Sequence, residues 1–322
     1  MASPNREPAT TAFGHAISAD LIAVLVAVTD EQPRVMTVQD GSGLPSGPFE
    51  QGHRSLQTGL RAWVEEQTRH PLGYVEQLYT FADRDRMDGT TSQHTISISY
   101  LGLTREGKVS DLQEKGWRNW YDYFPWEDHR TGTSAMIERE IAPGLDKWAQ
   151  AAGKPAARSD RRRRIAITFG LEGCDWNEEF VLQRYELLYE ASLVQEAVPG
   201  VPPNAKAAPP GLFGRRMSGD HRRILATGIA RLRAKIKYRP VVFELMPPNF
   251  TLLQLQRCVE ALAGQQLHKP NFRRLIEQQD LVEETGAMTA DTVGRPAKLF
   301  RFRQAVLAER AIAGTKLPLA RA

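Results

Sequence analysis

Long apolar runs are missing from this 322-residue chain. Its most apolar stretch, "LIAVLVAV" at 21–28, follows Asp20 and is too short to cross a bilayer and wrongly flanked for a signal peptide. It reads as a buried strand. Cysteine is scarce as well: Cys174 and Cys258 stand far apart, which argues against a disulfide framework and a zinc site. A cytoplasmic protein without membrane anchoring is expected. Nor is there a large net charge, but the +4 is unevenly spread. Between Arg215 and Arg303 there are 17 Lys/Arg against 8 Asp/Glu, a surplus of nine that leaves −5 for the rest. A basic C-terminal portion on a slightly acidic body points to a polyanion partner, of which nucleic acid is the commonest.

The composition that remains, 41% hydrophobic and 25% charged, suits one large or two ordinary domains. A second strand is expected at 34–39, followed by the Gly/Pro/Ser turn "GSGLPSGP". Leu56, Leu60, Trp63 and Val64 then recur at helical spacing behind Ser55, a capping residue, so 56–68 reads as an amphipathic helix. Strands are expected at 74–81 and 95–103. The aromatic-rich "WRNWYDYFPWEDHR" at 117–130 either stacks a nucleobase or plugs a core, and the plug is the expected role. "RSDRRRR" at 158–164 reads as a solvated loop, "RIAITFG" as a strand, and 178–196 as a helix. The Pro-rich 198–211 reads as an extended linker. From Asp220, Leu225, Ile229, Leu232 and Ile236 form one apolar helical stripe, with Arg222, Arg223, Arg231, Arg233 and Lys235 assigned to the other faces. Tyr238-Arg239-Pro240 closes that helix.

The C-terminal pattern is sharper. "FTLLQLQRCVEALAG" at 250–264 carries a capping box, Thr251 with Gln254, and a terminating Gly264. "PNFRRLIEQQ" at 270–279 follows after five residues as a second helix, and strands at 281–286 and 297–303 flank a Gly/Pro loop. A helix-turn-helix followed by a basic hairpin is a winged helix. Its second helix would enter the major groove with Lys269, Asn271, Arg273 and Arg274, while Arg295 and Lys298 on the wing would reach the minor groove or phosphates. Use of the same unit for protein contacts is the alternative.

"GPFEQGHRSLQTGLRAWVEEQTR" at 47–69 keeps the spacing of the Nudix hydrolase signature on Gly47, His53, Arg61, Ala62, Trp63, Glu65, Glu66 and Thr68. His53 and Ala62 stand where that signature has glutamates, and Thr68 replaces its closing glycine. Glu65 and Glu66 alone make a poor site for hard divalent cations, which need several converging oxygens. Glu65 also stands four residues after Arg61, so an intrahelical ion pair would account for it.

With "YVEQLYTFADRDR" at 74–86, "ILATGIARLRAKIKYRPVVFELMPPNFTLLQLQ" at 224–256, "KPNFRRLIEQQDLVEETG" and "GRPAKLFRF", the chain resembles the Nudix-related transcriptional regulators of NAD metabolism. The long middle segment is similar to that of the NadQ-type repressors of NAD synthesis. The resemblance implies a mixed α/β chain: a Nudix-like α/β/α sandwich at 14–238 with an insertion at about 105–214, a winged helix-turn-helix at 239–305, and a tail at 306–322. It further implies a homodimer on a palindromic double-stranded DNA operator, repressing NAD biosynthesis genes. The sensed nucleotide would be NAD, ATP or ADP-ribose, with no catalytic cofactor or metal. Arg61, Glu65, Glu66, Phe81, Asp83, Arg84 and Arg86 are the pocket residues this suggests. An active hydrolase of ADP-ribose with a regulatory DNA-binding tail is the competing reading.

Overall fold

The computed structural model describes residues 17–70, 72–73, 75–82, 94–106, 116–197, 212–238, 242–289 and 296–305. The expected linker at 198–211, Asp83, Arg84, Arg86, Arg295 and the tail from 306 lie outside the described residues. In chain order the first elements are β1 (Ile17–Thr29), β2 (Gln32–Met36), β3 (Ser46–Pro48), α1 (Leu56–Thr68), β4 (Val75–Phe81), β5 (His94–Leu103) and β6 (Trp117–Asn119). There follow α2 (Ala142–Gln150), α3 (Pro155–Phe169), α4 (Val181–Glu190), α5 (His221–Tyr238), α6 (Leu252–Ala263), α7 (Lys269–Gln278), β7 (Val282–Met288) and β8 (Lys298–Phe302).

β1 is the axis of a mixed sheet of order β4-β5-β1-β2-β6, parallel to β5 and antiparallel to β2 and β3. Successive side chains alternate, so Leu21, Ala23, Leu25 and Ala27 face one layer while Ile22, Val24 and Val26 face the other. Both layers are apolar, which is why this strand reads as a continuous hydrophobic run. α1 covers the first face through Leu60 and Val64. α5 covers the second through Leu225, Ile229, Leu232 and Ile236. The result is the α/β/α sandwich expected from the sequence.

The aromatic segment is a core plug: Trp120, Tyr123, Phe124 and Trp126 are fully buried and pack with α4, α5 and α6 in the same cluster. The structure corrects the sequence reading first in the middle of the chain. Residues 158–164 are not a loop and 164–170 not a strand; both belong to α3, which starts with Pro155 and stops at Gly170 in the left-handed conformation (φ 61°). Its arginines are held by partners that only the fold supplies. Arg161 lies over Trp148 at 4.1 Å, Arg162 meets Asp146 at 3.5 Å and Arg164 meets Glu190 at 2.6 Å. The helix expected over 178–196 is shorter, α4 with a separate single turn at Gln195–Ala197.

The second correction concerns α5. Arg222 and Arg233, assigned to solvated faces, are 0% and 1% exposed. Arg222 donates to the Tyr123 and Phe213 carbonyls and pairs with Glu196 at 3.1 Å. Arg233 meets the Glu127 carboxylate at 2.5 Å, and Arg184 of α4 takes the other side of that carboxylate, also at 2.5 Å. Burial alone would raise the Glu127 pKa, but the two guanidiniums hold it below the ordinary carboxylate range. One carboxylate cannot neutralise two arginines. The surplus charge is spread over the carbonyls of Thr168 and Asn177 from Arg184, and of Leu262 and Glu178 from Arg233. Removing one member of such a set leaves a buried charge uncompensated. Glu127→Ala is therefore expected to lower the unfolding free energy by about 3–5 kcal/mol in urea titration. Replacing Glu127, Arg184 and Arg233 together by Leu or Met should recover most of that loss.

Candidate functional site

The C-terminal unit begins with the signals read from sequence. Thr251 accepts from the Gln254 backbone N–H at 3.1 Å while the Gln254 side chain accepts from the Thr251 N–H at 2.8 Å, the reciprocal capping box. Gly264 ends α6 in the left-handed conformation (φ 74°), and a Cβ there would lie 2.3 Å from the Glu127 carbonyl oxygen. The turn into α7 is pinned by Glu260, whose carboxylate accepts from the Leu267 N–H and from Gln256 Nε2, both at 2.9 Å. Sequence reasoning missed this pin, because a Gln-Glu pair one turn apart on a helix is ordinary.

α7 buries Phe272 and Ile276 and turns the rest outward. Lys269, Asn271, Arg273 and Arg274 are all exposed. Gln278, not singled out from sequence, continues the Asn271–Arg274 stripe at helical spacing and is also exposed. None of the three cations on α7 pairs with a carboxylate among the described residues. The wing differs. β7 and β8 pair as a hairpin, joined by one bridge from Phe250 to Phe300. Across it Lys298 meets Glu284 at 2.8 Å and Arg301 meets Glu283 at 2.7 Å. The expected wing cation Lys298 thus has a carboxylate partner, and the pair is exposed, so it contributes little to stability.

On the α1 side, His53, Trp63 and Thr68 each make local structural contacts. Ser55 caps α1 by accepting from the Thr58 N–H. His53 Nδ1 accepts from the Glu50 N–H at 3.1 Å, and its ring lies 5.9 Å from Phe49 and 6.4 Å from Trp63. The Trp63 indole donates to the Pro48 carbonyl at 2.9 Å and lies flat on Gly47. Thr68 is 8% exposed and bonds back to the Val64 carbonyl, and Arg69 in left-handed conformation (φ 57°) ends the helix in place of a glycine. Arg61 does not pair with Glu65. It donates to the carbonyls of Leu72 and Gly73, the latter at 2.7 Å, leaving Glu65 and Glu66 exposed. Among the described residues no three His, Cys, Asp or Glu side chains are grouped to hold a metal ion.

Phe81 does not join Arg61, Glu65 and Glu66. It is 3% exposed in the core on the α5 side of the sheet, with the Arg223 guanidinium 5.1 Å from its ring centre. A bulge between Gln77 and Thr80 separates it from Val75, which packs on the α1 side.

Residues 242–302 match the family model of the NrtR DNA-binding winged helix domain. This unit is similar to the NrtR-type winged helix. A curated relative, the ADPR responsive transcriptional repressor NtrR of Acinetobacter baylyi, is 41% identical over 83 residues, 26% of this chain and 33% of its own length. The match thus spans one third of that relative. Shewanella oneidensis NrtR, solved with a 27mer DNA, superposes with TM-score 0.50 at 20% identity over 90% of this chain and 95% of its own. A MutT/nudix family protein from Enterococcus faecalis gives TM-score 0.50 at 15% identity over 94% and 90%. These likenesses show a shared fold, an α/β/α sandwich followed by a winged helix. No helix among the described residues is long and apolar enough to cross a membrane.

The contact between Gly47 and Trp63 is directly testable. A Cβ at Gly47 would lie 2.3 Å from the Trp63 ring. Gly47→Ala should cost about 1–3 kcal/mol in urea unfolding. Combined with Trp63→Ala, the loss should be smaller than the sum of the two single losses; simple additivity would show that the two groups do not touch.

Proposed function

We propose that this chain is a cytoplasmic DNA-binding repressor of NAD biosynthesis genes, acting as a homodimer on a palindromic operator. Its Nudix-like unit senses an adenine or pyridine nucleotide instead of hydrolysing it. The observation that carries this reading is the exposed α7 surface, where Lys269, Arg273 and Arg274 have no carboxylate partner among the described residues and Asn271 stands beside them. Guanidinium groups are suited to guanine O6 and N7 or phosphate, and an amide to adenine. The match of residues 242–302 to a DNA-binding domain supports the same assignment. Sensing of ADP-ribose is supported by the ADPR-responsive Acinetobacter relative. NAD and ATP are the other effectors in view.

Arg61, Glu65 and Glu66 on α1 are the residues proposed to face the nucleotide. Phe81 belongs to the transmission of its effect, since it lies buried across the sheet. Loss of hydrolysis follows from the ligand set: Ala62 offers no oxygen, and the His53 Nδ1 lone pair is engaged by Glu50 N–H. Incubation with ADP-ribose and Mg²⁺ or Mn²⁺ should release no AMP. Release that is lost in Glu65→Gln would favour the hydrolase reading.

Gel shifts with DNA upstream of NAD-synthesis genes should show a specific complex whose affinity falls steeply with salt. Retention without sequence preference would sink the proposal. Arg274→Ala should weaken the specific complex by about 1–3 kcal/mol and relax the preference at one base position. Lys298→Ala should weaken all sequences alike and reduce the salt slope by about one.

A further inference from the structure

α5 touches both halves of the molecule: Arg231 and Lys235 reach β4 on one side and Arg233 reaches α6 on another. One set of contacts starts at Arg61, which grips the carbonyls of Leu72 and Gly73 immediately before β4. Three residues beyond Gly73, Glu76 is 9% exposed and points to the opposite side of the sheet, where it meets Lys235 and, at 3.4 Å, Arg231 of α5. Two residues from each of these, Arg233 donates to the Leu262 carbonyl of α6 at 3.0 Å. α6 leads through the Glu260-pinned turn into α7.

β4 is tied to α5 at both ends. Glu76 holds the C-terminal part of the helix and Phe81 packs with Arg223 near its start. Twelve helical residues separate Arg223 from Lys235, about 18 Å at 1.5 Å each. Glu76 and Phe81 pair with Leu101 and Ser97 of β5, four residues apart, so the bulge shortens their separation to about 13 Å at 3.3 Å each. The strand thus touches the helix at two separated points, so a shift of β4 along its axis acts on α5 at both of them.

We propose that Glu76 is the positioning residue that couples nucleotide binding at α1 to DNA binding at α7. This inference rests on the repressor reading above. A phosphate that recruits Arg61 competes with the carbonyls of Leu72 and Gly73, releases the chain before β4, and changes how Glu76 holds α5. Glu76 touches neither ligand. Its removal abolishes communication while sparing both sites.

The test measures three variants of the full chain, with ADP-ribose and an operator duplex retained by the wild-type protein as probes. In the wild type, saturating ADP-ribose should change the DNA Kd by about 10-fold or more, and DNA should change the ADP-ribose Kd by the same factor, as linkage requires. In Glu76→Gln and in Lys235→Met each Kd taken alone should stay within about threefold, while both coupling factors fall together toward one. Lys235→Arg, which preserves the ion pair, should retain the response. Two variants on opposite sides of the pair guard against one of them failing to fold. A wild-type response that persists unchanged in Glu76→Gln and Lys235→Met overturns the inference and leaves the repressor reading intact. A wild type whose DNA binding ignores ADP-ribose removes ADP-ribose sensing itself, and the coupling role with it.

Discussion

Glu127 sits between two buried guanidiniums, and the placement of the winged-helix unit depends on it. The carboxylate meets Arg184 from α4 and Arg233 from α5, all three side chains at most 1% exposed. Because one negative charge faces two positive ones, the remaining N–H groups need acceptors. They find them in carbonyls of the α3 and α4 region and of α6. Such a set contributes less to stability than its short contacts suggest, since desolvation offsets much of the Coulomb gain. Its effect is on specificity: an arrangement with α6 displaced would strand a buried charge. Tyr121 donating to the Ala261 carbonyl and the His129 N–H donating to the Gly264 carbonyl fix the same helix end. The long middle segment therefore acts as the seat on which the winged helix rests.

In the α1 region the residues at the signature positions have structural roles of their own. Spacing in the signature is preserved because it is the spacing of a loop and a helix packed on β1. His53, Trp63 and Thr68 each have structural work there: a backbone hydrogen bond, an indole seated on Gly47, and a bond back to Val64 that helps end the helix. Arg61 is the exception. It spends its donors on two carbonyls of the connection into β4, contacts that an anion could replace. Its side chain thereby ties α1 to the connection that leads into β4.

Elements whose determinants are local were legible from the sequence. The bounds of α1 follow from Ser55 and an apolar face, those of α6 from the capping box and Gly264, and the wing from two short strands around a Gly/Pro loop. The outward face of α7 was legible for the same reason: Phe272 and Ile276 fix which side is buried, and Lys269, Asn271, Arg273 and Arg274 follow. In α3 the local signal misled. β-branched Ile165, Ile167 and Thr168 suggest a strand, but helical burial of Ile165, Ala166 and Phe169 decided the outcome.

By itself the sequence determined the mixed α/β class, the Nudix-like spacing at 47–68 and a basic winged helix after it, because capping, periodicity and turn chemistry act within a few residues. Only the tertiary structure decided which charges are buried and which faces of the sheet the pocket residues occupy. Glu127 lies 57 residues from Arg184 and 106 from Arg233, Glu76 159 from Lys235. At such separations no local pattern distinguishes an arginine that solvates a helix from one that holds two layers together, since the difference is made by what the fold brings opposite it.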